Sequence, residues 1–232
     1  MIRIVTWLWG NKDPHPKKKI HFTHEHVNRL ASMVSRNISI PYEMVCITDN
    51  PEGIDNSIRC VELWDDLRDM GGCYTRLKAF SKEMKYIIGP RFMWLDLDTV
   101  IVDDITPLID NKNDFMMWGD TAPRTPYNGS MVLMDAGARS EVWTSFDRRN
   151  SPIQGKRLGH VGTDQAWIGA CLGPNEKRWT KEDGVYSFRV HFKRHNRIDL
   201  YKGARIVFFH GSSDPSQPEI QNAYPWVKHH WR

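Results

Sequence analysis

Two aspartates, Asp96 and Asp98, interrupt a hydrophobic run in the middle of the chain that begins at Phe92. In an extended backbone, residues two apart point to the same side, so both carboxylates are expected to project together. A carboxylate is costly to bury without a partner, and two adjacent oxygen ligands suit a divalent cation such as Mg²⁺ or Mn²⁺. The alternative is that both are ordinary solvated residues of a strand end and a turn.

The elements before this pair alternate between strand and helix patterns. They are predicted, in order, as a strand at Ile2–Trp9, a helix at His24–Asn37 with Thr23 as its N-cap, a strand at Glu43–Thr48 and a helix at about Tyr74–Ile88. This order predicts a mostly parallel sheet that binds ligands at the carboxyl ends of its strands. Asp96 and Asp98 lie at one such end, and Asp49 lies at another.

The second half of the chain is less regular. The predicted strands are Phe115–Trp118, Ser130–Met134 and Ile206–Phe209, and the predicted helices are Ala138–Arg148 and Thr163–Cys171. The tail that follows carries Trp226 and Trp231, which we expect to pack against the body. The chain shows no internal repeat or linker, so one domain over residues 1–232 is predicted.

Composition and charge narrow the class of protein. The chain has 232 residues, of which 40% are hydrophobic and 26% charged, which indicates a globular protein. Its net charge is +4, but residues 176–205 alone carry nine Lys or Arg against four acids. The basic segment 177–205 suits a phosphate-bearing ligand or a polyanionic acceptor, or else is a solvated surface.

The cysteines, histidines and apolar runs argue against a zinc site, a membrane span and a signal peptide. The four cysteines never form a C-x₂-C pair, which disfavours zinc, and the N-terminal histidines are expected to be solvated. No apolar run approaches the roughly 20 residues of a membrane-spanning helix, and the N-terminus does not read as a signal peptide. A soluble, cytoplasmic protein is the expectation.

Several segments, in this order and spacing, resemble the GT-A fold glycosyltransferases, and specifically the retaining family 8-like enzymes, over about residues 2–220. The segments that carry the resemblance are Trp7–Asn11, Cys73–Lys78, Leu95–Val102, Ile105–Leu108, Asn128–Met134, Thr163–Ala166 and Phe209–Gly211. The resemblance implies a single-domain, Rossmann-like α/β fold with flanking helices. Residues 1–110 would form the nucleotide-binding half, and residues 111–232 the sugar- and acceptor-binding half with the tail.

The resemblance also implies an activity, the transfer of a sugar from a UDP-sugar to a hydroxyl group with retention. The cofactor would be Mn²⁺ or Mg²⁺. Asp98 and His210 would be direct metal ligands, and Asp96 would bind the metal through one oxygen or hold the ribose hydroxyls. Arg76 would donate to the diphosphate or the sugar, or else is a surface charge on a helix.

Further residues are assigned on the same resemblance. Asn128, Asp164 and Gln165 would contact the transferred sugar, although Asp164 also suits the start of a helix after Thr163. The nucleotide contacts, in the base and ribose region, are assigned to Trp7, Asn11 and Asp49.

The chain departs from the family pattern near its C-terminus. Phe208 stands where the family commonly has a histidine, and Asp214 precedes Pro215 where the family commonly has a lysine. That lysine contacts the diphosphate, so its part would fall to Lys17–Lys19 or to the basic segment. The insertion 13–21 is predicted to be a loop over the donor.

Alternatives remain at this stage for acceptor and for class. The acceptor is either a glycan such as lipopolysaccharide or a hydroxylated DNA base, the substrate of some phage enzymes. A haloacid-dehalogenase-like phosphatase also carries an Asp-x-Asp-x-Thr/Val motif, which Asp96–Val100 fits, but on its first strand. A non-catalytic carbohydrate- or nucleic-acid-binding module would explain the tryptophans and the basic segment, but not Asp96 with Asp98 or Asp164 with Gln165.

Overall fold

The structure is a computed structural model, and it describes residues 1–10, 21–119 and 124–232. Its strands are β1 (Ile2–Leu8), β2 (Tyr42–Thr48), β3 (Arg59–Glu62), β4 (Arg91–Leu95), β5 (Thr99–Ile101), β6 (Phe115–Trp118), β7 (Asn128–Asp135), β8 (Arg178–Trp179), β9 (Val185–Ser187) and β10 (Ile206–Phe208). Its α-helices are α1 (His24–Arg36), α2 (Met84–Ile87), α3 (Thr106–Ile109), α4 (Glu141–Thr144), α5 (Ser151–Arg157), α6 (Asp164–Leu172), α7 (Pro218–Ala223) and α8 (Pro225–His230). Short 3₁₀ turns lie at Arg68–Met70, Tyr74–Phe80, Lys181–Asp183 and Lys193–His195, and a π-helical turn lies at Phe188–Phe192.

Seven of the strands within these ranges form the central sheet, in the order β3-β2-β1-β4-β7-β6-β8. β1 pairs in parallel with β2 and β4, and β2 pairs in parallel with β3. β7 runs antiparallel to both of its neighbours, and β6 pairs in parallel with β8. The predicted α/β fold with a mostly parallel sheet is confirmed, and strands from both halves of the chain share this sheet.

Helices cover the central sheet because its strands carry apolar residues on both faces. In β1, Ile4 belongs to one hydrophobic cluster and Val5 to the other, as expected for side chains that alternate across a strand. α1 covers the first face with Val27, Leu30 and Val34, at helical spacing. α1 has 13 residues, and none of the described helices is long and apolar enough to cross a membrane.

A second, smaller sheet has the order β5-β10-β9. β5 pairs antiparallel with β10, and β10 pairs in parallel with β9. Phe209, just after β10, stacks on Phe188, just after β9, with ring centroids 4.2 Å apart. Both rings also lie near Trp226 of α8, at 6.3 and 6.5 Å, which ties the small sheet to the C-terminal segment. Trp226 and Trp231 are buried, which confirms that the tail packs on the body.

The acidic pair does not lie on a strand. β4 ends at Leu95, and residues 96–98 form a bend that leads into β5. The chain therefore leaves the central sheet at Asp96 and enters the small sheet at Thr99. The predicted extended backbone was wrong here, and the bend sets the directions of Asp96 and Asp98.

Two predicted helices are shorter than their patterns indicate. The run from Tyr74 to Ile88 breaks at Ser81, which is extended, with φ −65° and ψ 142°. The Ser81 hydroxyl accepts a hydrogen bond from the Glu83 backbone at 3.2 Å, and such local bonds compete with a helix. In the run from Ala138 to Arg148, only α4 is helical, because Arg139 adopts a positive φ of 57° and delays the start.

One N-terminal histidine is buried, contrary to expectation. His26 lies on α1, and its Nε2 is 3.4 Å from Oδ1 of Asp214, which is fully buried. The buried pair links α1 to the segment that follows the small sheet. Asp214, at the position where the family pattern has lysine, therefore has a structural partner.

The small sheet should contribute strongly to stability. We expect Phe209→Ala to lower the free energy of unfolding by about 3–5 kcal/mol, because Phe209 is fully buried and stacked on Phe188. Tyr86→Ala is the matched control, since Tyr86 is 86% exposed, and it should change stability by less than about 0.5 kcal/mol. Urea unfolding followed by tryptophan fluorescence measures both. Equal losses would mean that the aromatic cluster is not part of the cooperative core.

Candidate active site

The candidate site lies at the carboxyl end of the parallel strands. β4 ends just before Asp96, and β7 starts at the same edge with Asn128 because it runs antiparallel to β4. The Asp96 backbone N–H donates to the carbonyl of Ser130 at 2.9 Å. The strand pairing therefore places the acidic bend beside the start of β7, although the two are more than 30 residues apart in sequence.

Arg76 joins two carboxylates at this edge. Its Nε lies 2.9 Å and its Nη2 2.6 Å from Oδ2 of Asp164, and its Nη1 pairs with Oδ1 of Asp96. The guanidinium carbon lies 5.8 Å from the centroid of the Trp94 ring. Because the Arg76 side chain is only 6% exposed, the predicted alternative of a surface charge is wrong.

The charges in this junction do not balance. Burial alone would lower the pKa of Arg76, but Asp164 and Asp96 outweigh it, and the pKa lies well above its ordinary value. Burial raises the pKa of Asp164 and the nearby Asp96 raises it further, although Arg76 opposes both. With all three groups ionised, two carboxylates share one guanidinium. The junction then carries one net negative charge, which favours a cationic ligand or a positively charged transition state.

Gly129 is the residue that allows this junction to close. A Cβ atom at position 129 would lie 3.1 Å from both Nη2 of Arg76 and Oδ2 of Asp164, which is tighter than ordinary contact. The Gly129 carbonyl accepts a hydrogen bond from Nε1 of Trp94 at 2.8 Å. Sequence reasoning used the Asn-Gly motif only as a family signal and missed the structural roles of Gly129 and Trp94.

The side-chain amide of Gln165 is held by backbone groups on both of its ends. Its Oε1 accepts from the Gly129 backbone N–H at 3.2 Å, and its Nε2 donates to the Val161 carbonyl at 3.0 Å. Asn128 is also buried, and its Oδ1 accepts from the Ser130 backbone N–H at 2.9 Å. The structure thus brings together Asn128, Gln165 and the Arg76 junction, and their contact with a sugar stays a prediction.

Asp164 also begins helix α6, where a carboxylate is favourable. The preceding Thr163 does not cap this helix with its side chain. Instead, its hydroxyl accepts a hydrogen bond from the Cys73 backbone N–H at 3.0 Å. A Cβ at Gly72 would lie 2.5 Å from Cγ2 of Thr163, so this contact needs a glycine. The contact fixes α6 against the turn that carries Arg76.

Asp98 and His210 become neighbours through the small sheet. Thr99 pairs with Phe208, and the Phe209 backbone N–H donates to the Asp98 carbonyl at 2.8 Å. The next residue, His210, stacks its ring on Trp118 with centroids 5.2 Å apart. The pairing therefore explains how residues more than 100 positions apart in the chain reach one site.

His210 has the state that a metal ligand needs. Burial lowers its pKa to about 4, although Asp96 opposes this, so the imidazole is neutral near pH 7. Its Nε2 is buried and has no hydrogen-bond partner among the described residues. Within residues 1–10, 21–119 and 124–232, no group of three His, Cys, Asp or Glu side chains is arranged to hold a metal ion. The neutral imidazole beside carboxylates fits a cation in chemistry, and the ligand set Asp96, Asp98 and His210 stays a prediction.

The predicted nucleotide contacts lie in different surroundings. Trp7 is 4% exposed and packs edge to face against Trp64 and Trp94, within the core. Asp49 lies at the predicted edge, where its carboxylate accepts from the Gly10 backbone N–H and pairs with Arg68. Asn11 and Lys17–Lys19, and all but one residue of the insertion 13–21, lie outside the described residues.

The chain has the fold of the GT-A glycosyltransferases. It superposes on the galactosyltransferase LgtC, solved with donor and acceptor sugar analogues, with a TM-score of 0.60 at 12% identity, over 99% of this chain and 96% of LgtC. An active-site mutant of LgtC, in which a glutamine is changed to glutamate, gives a TM-score of 0.56 at 14% identity, with the same coverage.

Two larger glycosyltransferases share the fold over part of their length. The apo form of GlyE from Streptococcus pneumoniae TIGR4 gives a TM-score of 0.62 at 10% identity, over 100% of this chain and 61% of GlyE. The bifunctional glycosyltransferase WbbM gives 0.55 at 10% identity, over 99% of this chain and 50% of WbbM. No family model and no curated protein matches the sequence. At these identities, the likeness establishes the fold.

The Arg76 junction predicts a stability change that depends on pH. Arg76→Met would leave two carboxylates together without their cation, so we expect a loss of about 3–5 kcal/mol in unfolding free energy at about pH 7.5. A carboxyl whose pKa is higher in the folded than in the unfolded state favours folding as the pH falls. The loss should therefore shrink at about pH 5. Denaturant unfolding at both pH values measures it.

Arg148→Met is the matched control, because the pair between Arg148 and Asp69 is exposed on both sides. It should cost at most about 1 kcal/mol at either pH. A loss for Arg76→Met that does not change with pH would contradict the proposed charge imbalance.

Proposed function

We propose that this protein is a metal-dependent glycosyltransferase that moves a sugar from a UDP-sugar to a hydroxyl group, with retention. The Arg76 junction is the observation that carries the proposal. It ties Asp96 in the acidic bend to Asp164 on α6, so the predicted donor residues and the predicted sugar residues share one site. The junction lies at the carboxyl edge of the parallel strands, where this sheet architecture binds ligands, and this supports the proposal.

On the donor side, Asp96, Asp98 and His210 would hold Mn²⁺ or Mg²⁺. A bound cation neutralises the diphosphate and stabilises it as the leaving group. The neutral imidazole of His210 favours Mn²⁺ over Mg²⁺, which prefers oxygen ligands. The bond between Asp96 and Arg76 occupies one carboxylate oxygen and leaves the other for a cation or a ribose hydroxyl.

On the sugar side, Asn128, Asp164 and Gln165 would orient the transferred sugar. The backbone partners of Gln165 and the guanidinium beside Asp164 fix both side chains before substrate binds, which lowers the cost of reorganisation. The negative charge of the junction would stabilise the positive charge that develops on the sugar ring. LgtC also has an active-site glutamine, which supports a direct role for Gln165.

Retention is proposed on the resemblance to the family 8-like enzymes, and the carboxylates are compatible with a route that has no covalent intermediate. Asp164 and Asp96 are both committed to Arg76, so neither is a ready nucleophile for a covalent intermediate. The acceptor hydroxyl would instead attack from the face that the diphosphate leaves. The bond from the sugar carbon to the phosphate oxygen breaks, the bond to the acceptor oxygen forms, and the acceptor proton passes to the departing phosphate oxygen.

A glycan is the favoured acceptor. LgtC was solved with an acceptor sugar analogue, which supports this class, and the basic segment 177–205 suits a phosphorylated glycan. The comparisons offer no support for a hydroxylated DNA base. DNA binding would weaken steeply as salt rises, whereas binding of a neutral glycan would not.

The phosphatase alternative fits the site less well. Its motif would make Asp96 the nucleophile, yet Asp96 follows the fourth parallel strand in the chain order β1, β2, β3, β4 of the central sheet and is paired with Arg76. A non-catalytic binding module would not require the buried pairing of Arg76 with Asp96 and Asp164.

Donor hydrolysis tests the proposal. We expect one member of a panel of UDP- and GDP-sugars to be hydrolysed slowly with Mn²⁺ present, because water replaces the acceptor at an open site. EDTA should abolish the reaction, and added Mn²⁺ should restore it. Release of the nucleoside diphosphate is the readout. No metal-dependent turnover or binding for any donor would count against the proposal.

Asp98→Ala tests the predicted metal ligand. We expect turnover to fall by at least about 100-fold, because the leaving diphosphate loses its cation. Asp103→Ala is the matched control, since Asp103 lies five residues further on and is exposed. Circular dichroism should show both variants folded. A loss of only about two- or threefold in turnover would show that Asp98 is not a metal ligand.

A further inference from the structure

The small sheet also carries a positively charged residue, Arg189, toward the side of the site where Asp98 and His210 lie. β9 and β10 pair in parallel, with Ser187 opposite Phe208. The next residues along both strands, Phe188 and Phe209, stack with centroids 4.2 Å apart and an interplanar angle of 15°. Arg189 and His210 directly follow these two stacked residues, so both leave the small sheet at the same end. Because β10 is the middle strand, the acidic bend before β5 lies on the other side of His210.

The backbone around Arg189 is held in an unusual turn. Residues 188–192 form a π-helical turn, a rare conformation that is often found at functional sites. The Ser187 hydroxyl accepts from the Val190 backbone at 3.2 Å, and the Ser187 N–H donates to Nδ1 of His191 at 2.8 Å. The Tyr201 hydroxyl donates to the His191 carbonyl at 3.0 Å. These bonds fix the direction in which the turn leaves β9.

Lys193 begins the next turn of the chain, the 3₁₀ turn Lys193–His195, and extends toward the loop after β10. It lies four residues after Arg189, and its Nζ is 3.2 Å from the hydroxyl of Ser213. Ser213 is 3% exposed and follows His210 by three residues. Lys193 therefore spans from the turn after Phe192 to the loop after β10, which also carries His210.

The basic segment thus divides into two groups. Arg197 covers the ring of Tyr201 at 4.1 Å, and Arg205 donates to the Asp104 carbonyl. These two have structural partners. Arg189, in contrast, is exposed and forms no salt bridge with any described residue. A guanidinium in this position is available to an anionic ligand.

We propose that Arg189 and Lys193 bind the diphosphate of the nucleotide donor. The inference rests on the proposed function and names the residues that hold the donor's phosphates. A diphosphate held only by carboxylate-bound metal would keep negative charge near Asp96 and Asp98. Cations on the far side of His210 would neutralise that charge, and a guanidinium matches two phosphate oxygens at once. Asp214 cannot take this part, because it is buried against His26.

Nucleotide binding without turnover tests this inference. We expect the double variant R189Q/K193Q to bind UDP at least about tenfold more weakly than the wild type in titration calorimetry with Mn²⁺ present, because two charged contacts are lost. Its affinity for uridine, which has no phosphates, should not change. R194Q/K202Q is the matched control, since both residues are exposed and belong to the same basic segment. It should bind UDP as the wild type does.

The outcomes separate the two proposals. If the wild type binds no nucleoside diphosphate, the proposed function fails and this inference fails with it. If the wild type binds UDP and R189Q/K193Q binds it equally well, only this inference is overturned. It is also overturned if UDP binding is intact while transfer to a phosphorylated acceptor falls, because the two residues would then serve the acceptor. Equal losses for UDP and uridine would indicate a general disturbance of the site and would overturn it too.

Discussion

The buried guanidinium of Arg76 is the interaction on which the candidate site depends. It is surrounded by groups from four separate parts of the chain: the 3₁₀ turn that carries it, the bend after β4, the start of β7 and the start of α6. Burying a charge is costly unless it is paired, so this arrangement persists only while all four parts stay in place. The same cation limits both carboxylates to defined positions and, when all three groups are ionised, leaves the junction with excess negative charge.

The second organising feature is the change of sheet at the acidic bend. A strand that simply continued past Leu95 would keep Asp96 and Asp98 within the central sheet. The bend instead sends the chain into a small sheet whose middle strand delivers His210 and whose far strand leads to Arg189. Acidic and basic groups therefore flank one imidazole, an arrangement suited to a metal and a diphosphate together.

Much of the architecture was predictable because it follows from local patterns. Apolar residues at helical spacing identified α1, and the strands β2, β6 and β7 began and ended within a few residues of their predicted bounds. The patterns failed where a side chain competed with the backbone, as at Ser81, or where one residue took a positive φ, as at Arg139. Leu77 and Met84, within the run predicted as one helix, are buried all the same, because apolar spacing reports a buried face rather than helix continuity.

The sequence by itself determined the fold class and the residue types of the candidate site, because both follow from periodicity and from motifs of adjacent residues. Only the tertiary structure decided that Arg76 is buried between Asp96 and Asp164, that Gly129 must lack a side chain, and that Arg189 and His210 leave the small sheet at the same end. These facts depend on strand register and on close approaches between distant segments. No local pattern encodes such contacts, since each one exists only when the whole sheet has formed.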